Sequence, residues 1–200
     1  MNKILIKNAT RELLTNLLPL LQQGILMKVT AGSSVRDFLI SNLCLDEEYI
    51  DRRIQSILLN GRPVDDPSGA KIKDGVTIAL SSSMPGLVGA TLRRCSPVAS
   101  LRSTLTYKES SNIKSNCQAT VRLKLFNLIM SEIGPFMLKQ GVMVEAKRIQ
   151  EILNKLNSLF DKDRNEVFLN NETIEPVELL KVLSQDDGLC IIQIETITEL

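Results

Sequence analysis

The chain has 200 residues, enough for one medium domain or two small ones and for a core that needs no disulfide or metal. Its composition, 44% hydrophobic and 24% charged, is that of a globular protein, and the absence of His excludes Ser-His-Asp and Cys-His catalysis, histidine general bases and His-ligated zinc. A net charge of +1 gives no global attraction to nucleic acid or to an anionic membrane.

The first residues, MNKILIKNATRELL, put charges at Lys3, Lys7, Arg11 and Glu12 where a signal peptide needs an apolar core. No run of about 18 apolar residues follows, so a cytoplasmic protein is expected. Lys3 to Lys7 alternates as a short strand. A leucine-rich helix then runs from Leu13 to Leu21, interrupted and kinked at Pro19 and capped by Gly24. Ile25 to Thr30 reads as a strand. Ser34 and Asp37 have capping-box spacing, and Val35, Phe38, Leu39 and Leu43 form the apolar stripe of a core helix. The acidic run Asp46-Glu47-Glu48, with Asp51, lacks the spacing of a calcium loop and reads as a solvated face. Strands Ile57 to Leu59 and Val76 to Leu80 follow, with a turn at Asn60-Gly61 where positive φ is tolerated.

Composition shifts at residue 81. Residues 81–118 hold five Lys/Arg against one Asp/Glu, nine serines and two prolines, the mark of a connector or long loop. Residues 1–80 carry a net +1 and residues 119–200 a net −4, so the basic connector is expected to dock on the acidic second half. Beyond it, Thr120 to Phe126 alternates as a strand with Val121, Leu123 and Leu125 on one face. A helix from about Leu128 to Lys139 is interrupted at Pro135 and capped by Gly141; Val142 to Ala146 is a strand. Ile149, Ile152, Leu153, Leu156 and Phe160 make a second core stripe. Val167 to Leu169 and Leu189 to Ile194 close the chain as strands, with a turn at Asn170-Asn171.

The two halves share signals in the same order, the mark of an internal repeat. Leu17-Leu18-Pro19-Leu20-Leu21-Gln22-Gln23-Gly24 resembles Ile133-Gly134-Pro135-Phe136-Met137-Leu138-Lys139-Gln140-Gly141, with one extra residue. Leu58-Leu59-Asn60-Gly61 recurs as Phe168-Leu169-Asn170-Asn171, and Asp74-Gly75-Val76-Thr77-Ile78 as Asp187-Gly188-Leu189-Cys190-Ile191. Residues 1–80 and 119–200 are therefore expected as two related domains joined by the connector.

The element order, with Leu-Asn-Gly and Asp-Gly turns, resembles a β-grasp, or ubiquitin-like, domain. Residues 3–89 are similar to its sulfur-carrier branch, the small subunit of molybdopterin synthase and the thiamine sulfur carrier. The matching pieces are Ile57-Leu58-Leu59-Asn60-Gly61-Arg62-Pro63-Val64, Ile72-Lys73-Asp74-Gly75-Val76-Thr77-Ile78 and Pro85-Gly86-Leu87-Val88-Gly89. The resemblance implies an α+β fold of two β-grasp-like units, each a small mixed sheet covered by helices, with a diverged second copy at 119–200. In that family a flexible Gly-Gly tail is adenylated at its terminal carboxylate and converted to a thiocarboxylate. Here Leu87 and Val88 stand between the glycines, and 111 residues follow Gly89. Pro85-Gly86 therefore reads first as a turn leaving the last strand.

Four cysteines, at positions 44, 95, 117 and 190, have no metal-ligand spacing and read as thiols of a reducing compartment, so no metal or cofactor is expected. Arg93-Arg94-Cys95 sets one thiol beside two cations that favour the thiolate. The carboxylate pairs Asp65-Asp66 and Asp186-Asp187 sit in turns and give no sign of a glycosidase or protease dyad. The expected function is a non-catalytic ubiquitin-like adaptor that presents sheet faces or edges to a protein partner. A candidate binding loop is formed by Pro85, Gly86, Gly89, Arg93, Arg94 and Cys95; nucleic acid and membrane are not expected as partners, and a homo-oligomer is left open. The alternative is a sulfur carrier or modifier precursor trimmed after Gly89. Ranked last is an enzyme or redox protein using Cys95, with a phosphate-bearing ligand on Arg93 and Arg94.

Overall fold

The computed structural model describes residues 1–102, 106–107, 117–156 and 165–196. The chain opens with strand β1 (Asn2–Ala9), helices α1 (Arg11–Leu17) and α2 (Pro19–Gln23), and strand β2 (Ile25–Thr30). Helices α3 (Val35–Ser41) and α4 (Glu47–Arg52) precede strands β3 (Ser56–Leu59), β4 (Arg62–Pro63) and β5 (Thr77–Ser81). Helix α5 (Gly86–Leu92) and a 3-10 turn (Ala99–Arg102) lead to β6 (Gln118–Phe126), α6 (Asn127–Gln140), β7 (Val142–Glu145) and α7 (Ala146–Lys155). Strands β8 (Glu166–Leu169) and β9 (Glu172–Thr173), helix α8 (Pro176–Gln185) and strand β10 (Leu189–Thr196) follow. The expected position of Phe160 in the second core stripe lies outside the described residues.

The ten strands form one mixed sheet in the order β4-β3-β5-β6-β2-β7-β10-β1-β8-β9. This corrects the expectation of an α+β fold with two β-grasp-like units, each a small mixed sheet covered by its own helices. The cause is an exchange of first strands. Strand β1 does not pair within residues 1–80; it runs parallel to β10, with Ile4 opposite Ile192, and antiparallel to β8, with Ile4 opposite Leu169. Strand β6 takes the place parallel to β5, with Ile78 opposite Leu123. By packing, the described residues of Met1–Ile25 join those of Ser131–Leu200 in one compact unit, and those of Leu26–Met130 form a second.

Local chemistry explains which neighbour each exchanged strand takes. Both β1 and β6 bury alternate side chains, Ile4 and Ile6 in one, Val121, Leu123 and Leu125 in the other, so both are suited to a central position. Turn residues then select the partner. The Asn60 side-chain oxygen accepts the Thr77 N–H at 2.8 Å while its own N–H donates to the Thr77 carbonyl, which locks β5 to the β3–β4 turn. Asn170 makes the same pair of bonds to Lys3 of β1, at 2.9 and 2.8 Å. Asp74 accepts the Thr120 N–H at the start of β6, and Asp186 accepts the Asn2 side-chain amide at the start of β1. Asn60-Gly61 and Asn170-Asn171 all have positive φ, between 49° and 77°, as tight hairpin turns require.

In the unit of Leu26–Met130 the core is built on α3. The Ser34 hydroxyl accepts the Asp37 N–H while the Asp37 carboxylate accepts the Ser34 N–H and hydroxyl, a closed capping box. Those bonds, the hydroxyl first, hold the Asp37 carboxyl below its ordinary range. Val35, Phe38 and Leu39 are buried, as the stripe requires, and so are Ile50, Ile57, Ile78 and Leu80 of the same unit. In the other unit, the expected kink at Pro19 is a full break: α1 ends at Leu17 and Pro19 opens α2. Pro135, by contrast, lies inside a continuous α6. Helix α7 buries Ile149, Ile152 and Leu153 and packs on α8, which buries Leu179 and Leu183.

Candidate functional site

The described residues of the connector form short elements within the unit of Leu26–Met130. Strand β5 ends at Ser81, which is buried like Ser82, and Pro85 stands in extended conformation immediately before α5. Gly86 opens the helix at φ +79°. Gly89 is buried against the strand exit: a Cβ there would fall 2.1 Å from the Met84 carbonyl oxygen, so only glycine allows the helix to fold back on its own loop. The segment that resembles a carrier tail is thus helical. Its branched residues face outward, with Leu87 69% and Val88 71% exposed.

Three arginines fasten the rest. The Arg93 guanidinium donates to the Ser83 hydroxyl at 2.7 Å and is otherwise exposed. Arg94 is half-buried and donates to the Ile50 and Ile54 carbonyls at 2.7 and 3.1 Å, while its backbone N–H donates to the Gln55 carbonyl. Burial pulls the Arg94 guanidinium below its ordinary value, with the Asp51 carboxylate acting in the opposite direction. Arg102, which sequence reasoning passed over, is 3% exposed. It forms a bidentate pair with Asp65, at 2.7 and 3.1 Å, and donates to the Thr106 hydroxyl and to the Thr91 and Arg93 carbonyls. Nothing in its sequence neighbourhood marks it, because its partner lies 37 residues away.

These contacts also redirect the expectation about charge. Of the connector's basic residues, expected as a group to dock on the acidic second half, Arg94 and Arg102 bond to Ile50, Ile54, Asp65 and the connector itself, and Lys108 and Lys114 lie outside the described residues. Cys95 is exposed at φ +54°, and the hydrogen bonds of the two neighbouring guanidinia go to oxygen acceptors. Of the six residues singled out, Pro85, Gly86 and Gly89 shape α5, Arg93 and Arg94 tie it down, and Cys95 follows at the surface. Leu101, next to Arg102, is 70% exposed and joins Leu87 and Val88 as a large apolar side chain left in water.

The carboxylates found in sequence have structural partners. Asp46 caps α4 through the Tyr49 N–H, Glu47 and Asp51 pair with Arg36, and Glu48 pairs with Arg52. Arg36 holds the Asp51 carboxyl below its ordinary range. Asp187 pairs with Lys147 at 2.6 Å, and Asp186 closes its turn on the Gly188 N–H. Among the described residues no group of three or more cysteine, aspartate or glutamate side chains could hold a metal ion, and no helix is long and apolar enough to cross a membrane. No protein-family model, curated protein or solved structure matches the chain.

Proposed function

We propose that the chain is a non-catalytic, cytoplasmic protein-interaction module whose docking surface is the connector around α5. The supporting observation is the exposure of Leu87, Val88 and Leu101 on a segment that Arg94 and Arg102 hold in place. Apolar side chains on a fixed support make good anchors because little conformational entropy is lost when a partner covers them. With Arg93 exposed beside them, the complementary surface is an apolar groove with an acidic rim on another protein. Strand addition is a poorer route. The outermost strands, β4 and β9, have two residues each and present few unpaired main-chain groups.

Kinship with the sulfur-carrier branch belongs to the same proposal, and it rests on Ile57 to Val64, Ile72 to Ile78 and Pro85 to Gly89 rather than on strand order. The carrier reading itself needs a cut after Gly89 and unwinding of α5, which the intact mass of the native chain tests directly. For the docking surface, the test replaces Leu87, Val88 and Leu101 together with serine and compares crosslinked partners from cells that make the protein. The expected result is loss of a specific partner with stability changed by less than about 0.5 kcal/mol, since all three side chains are exposed. Identical capture by both proteins would refute the docking surface. A native species ending at Gly89 would replace this reading with the carrier one.

A further inference from the structure

The unit of Leu26–Met130 contains a second feature that the interaction reading does not use. A cavity of about 470 Å³ opens beside the β3–β4 turn, with three cationic side chains in its lining, Arg62, Lys71 and Lys73, and no carboxylate. Each cation is placed by local structure. Arg62 follows the Asn60-Gly61 turn, and Lys71 and Lys73 flank the buried Ile72, so strand-like alternation turns both to the same side. Of the carboxylates near them in sequence, Asp65 pairs with Arg102 and Asp74 accepts the Thr120 N–H, while Lys71 acts on the Asp37 carboxylate.

The remaining lining is of a different kind. Leu59 and Val76 are buried and form an apolar wall, and Tyr107 closes one side. Its backbone N–H donates to the Pro63 carbonyl at 2.9 Å, which fixes the aromatic residue alongside β4. The volume lies within the range of small-molecule sites, about 300 to 1,000 Å³. An inorganic anion would engage the cations and leave the Tyr107 ring unused. A ligand with an anionic end and a flat, partly apolar body uses both.

We propose that this cavity binds a small organic phosphate carrying a planar ring, of the size class of a nucleoside monophosphate. The phosphate sits among Arg62, Lys71 and Lys73, where the planar guanidinium fork suits two phosphate oxygens and the ammonium groups act as point charges. The ring lies against Tyr107, with Leu59 and Val76 behind it at the back of the cavity. Lys71, Lys73 and Tyr107 each take part in a further interaction within the chain. Binding therefore exchanges contacts rather than filling open valences, and the expected affinity is micromolar to millimolar.

The test titrates the full chain with AMP, inorganic phosphate and adenosine, followed by calorimetry and by amide chemical shifts. AMP is expected to bind at least about tenfold more tightly than either fragment, and less tightly at high salt because the cations are near the surface. The shifts should centre on Asn60, Arg62, Lys73 and Val76. Arg62→Glu is the safe variant, since Arg62 is exposed, and it should weaken AMP at least about tenfold with an unchanged fold. Lys71→Ser with Lys73→Ser should do the same wherever it folds. The proposal is overturned if AMP gives no saturable binding up to about 5 mM, a concentration that detects even millimolar sites. It is equally overturned if inorganic phosphate or adenosine alone binds as tightly as AMP, if Arg62→Glu binds AMP as the parent does, or if the shifts map outside the cavity.

Discussion

Replacing Asp65 with alanine removes both acceptors of the Arg102 fork while leaving the cation where it is. Leaving a buried charge without its counter-ion typically costs about 3 to 5 kcal/mol. Two features of this site reduce that figure. The Asp65 side chain is 38% exposed, so solvent screens the pair, and three acceptors remain to Arg102: the Thr91 and Arg93 carbonyls and the Thr106 hydroxyl. A net loss of about 2 kcal/mol is expected, near the strength of one charge-assisted hydrogen bond. Because Arg102 fastens the connector rather than the sheet, the loss should appear first as local opening. The amides to follow by hydrogen exchange are those of Arg94, Thr106 and Tyr107, which donate to the Gln55, Arg102 and Pro63 carbonyls. Their protection should fall about thirtyfold, the equivalent of 2 kcal/mol, before the helices and sheet are affected. Asp66→Ala is the control, since the Asp66 carboxylate accepts the Ser68 N–H in its own turn and is exposed. If Asp65→Ala is no worse than Asp66→Ala in urea melts and leaves the three amides as protected as before, Arg102 is not the fastener and the connector is held by other means.

Phe38 is 1% exposed at the centre of the α3 stripe, so Phe38→Ala should cost about 3 to 5 kcal/mol in denaturant melts; a loss under about 1 kcal/mol would mean the helix face is not core. The two adjacent arginines should separate: Arg93→Ser leaves the melting temperature unchanged, whereas Arg94→Ser, which frees the Ile50 and Ile54 carbonyls, costs about 1 to 3 kcal/mol. Burial, aided by the Asp186 carboxylate, pushes the Cys190 thiol from 9.0 up to about 11. The folded chain thus holds that proton more tightly than the unfolded one, and the corresponding stability is complete below pH 9.0 and lost as pH rises towards about 11. Urea melts across that window should show a steeper decline for the parent than for Cys190→Ala. Tyr49, whose phenol burial also raises, contributes a decline common to both.

What could be read from sequence is what short-range chemistry decides. The Ser34–Asp37 box, the Val35-Phe38-Leu39 stripe and the Asn60-Gly61 and Asn170-Asn171 turns are all written within a few residues, and each has its expected conformation. The partner of a strand is not written that way. Alternation in β1 and β6 specifies two buried central strands but is equally satisfied by either exchange of neighbours. The choice is made by Asn2 with Asp186 and Lys3 with Asn170, contacts that span 184 and 167 residues. The connector shows the same limit. Its excess charge was visible, yet charge has no address, and Arg102 found a carboxylate in a turn that looked self-sufficient. Helix α8 was missed between the strand signals of the second half. Pro176 at its first position was its opening mark.

The exchange of first strands sets the order in which the protein can form as it is made. Residues of Leu26–Met130 are contiguous, so that unit has all its partners once its own segment has been synthesised. Strand β1 is made well before its neighbours, since β8 and β10 lie about 160 residues or more downstream. At about 5 to 20 residues per second, its apolar face and that of α1 wait roughly ten to forty seconds on the nascent chain. Ile4, Ile6, Leu13 and Leu17, all fully buried in the finished structure, spend that time in water or on a chaperone. Closure of the discontinuous unit is then a step of high contact order, slower than that of its neighbour. The vulnerable species in production of this protein is accordingly not the unfolded chain but the half-folded one, with its first strand still unpaired.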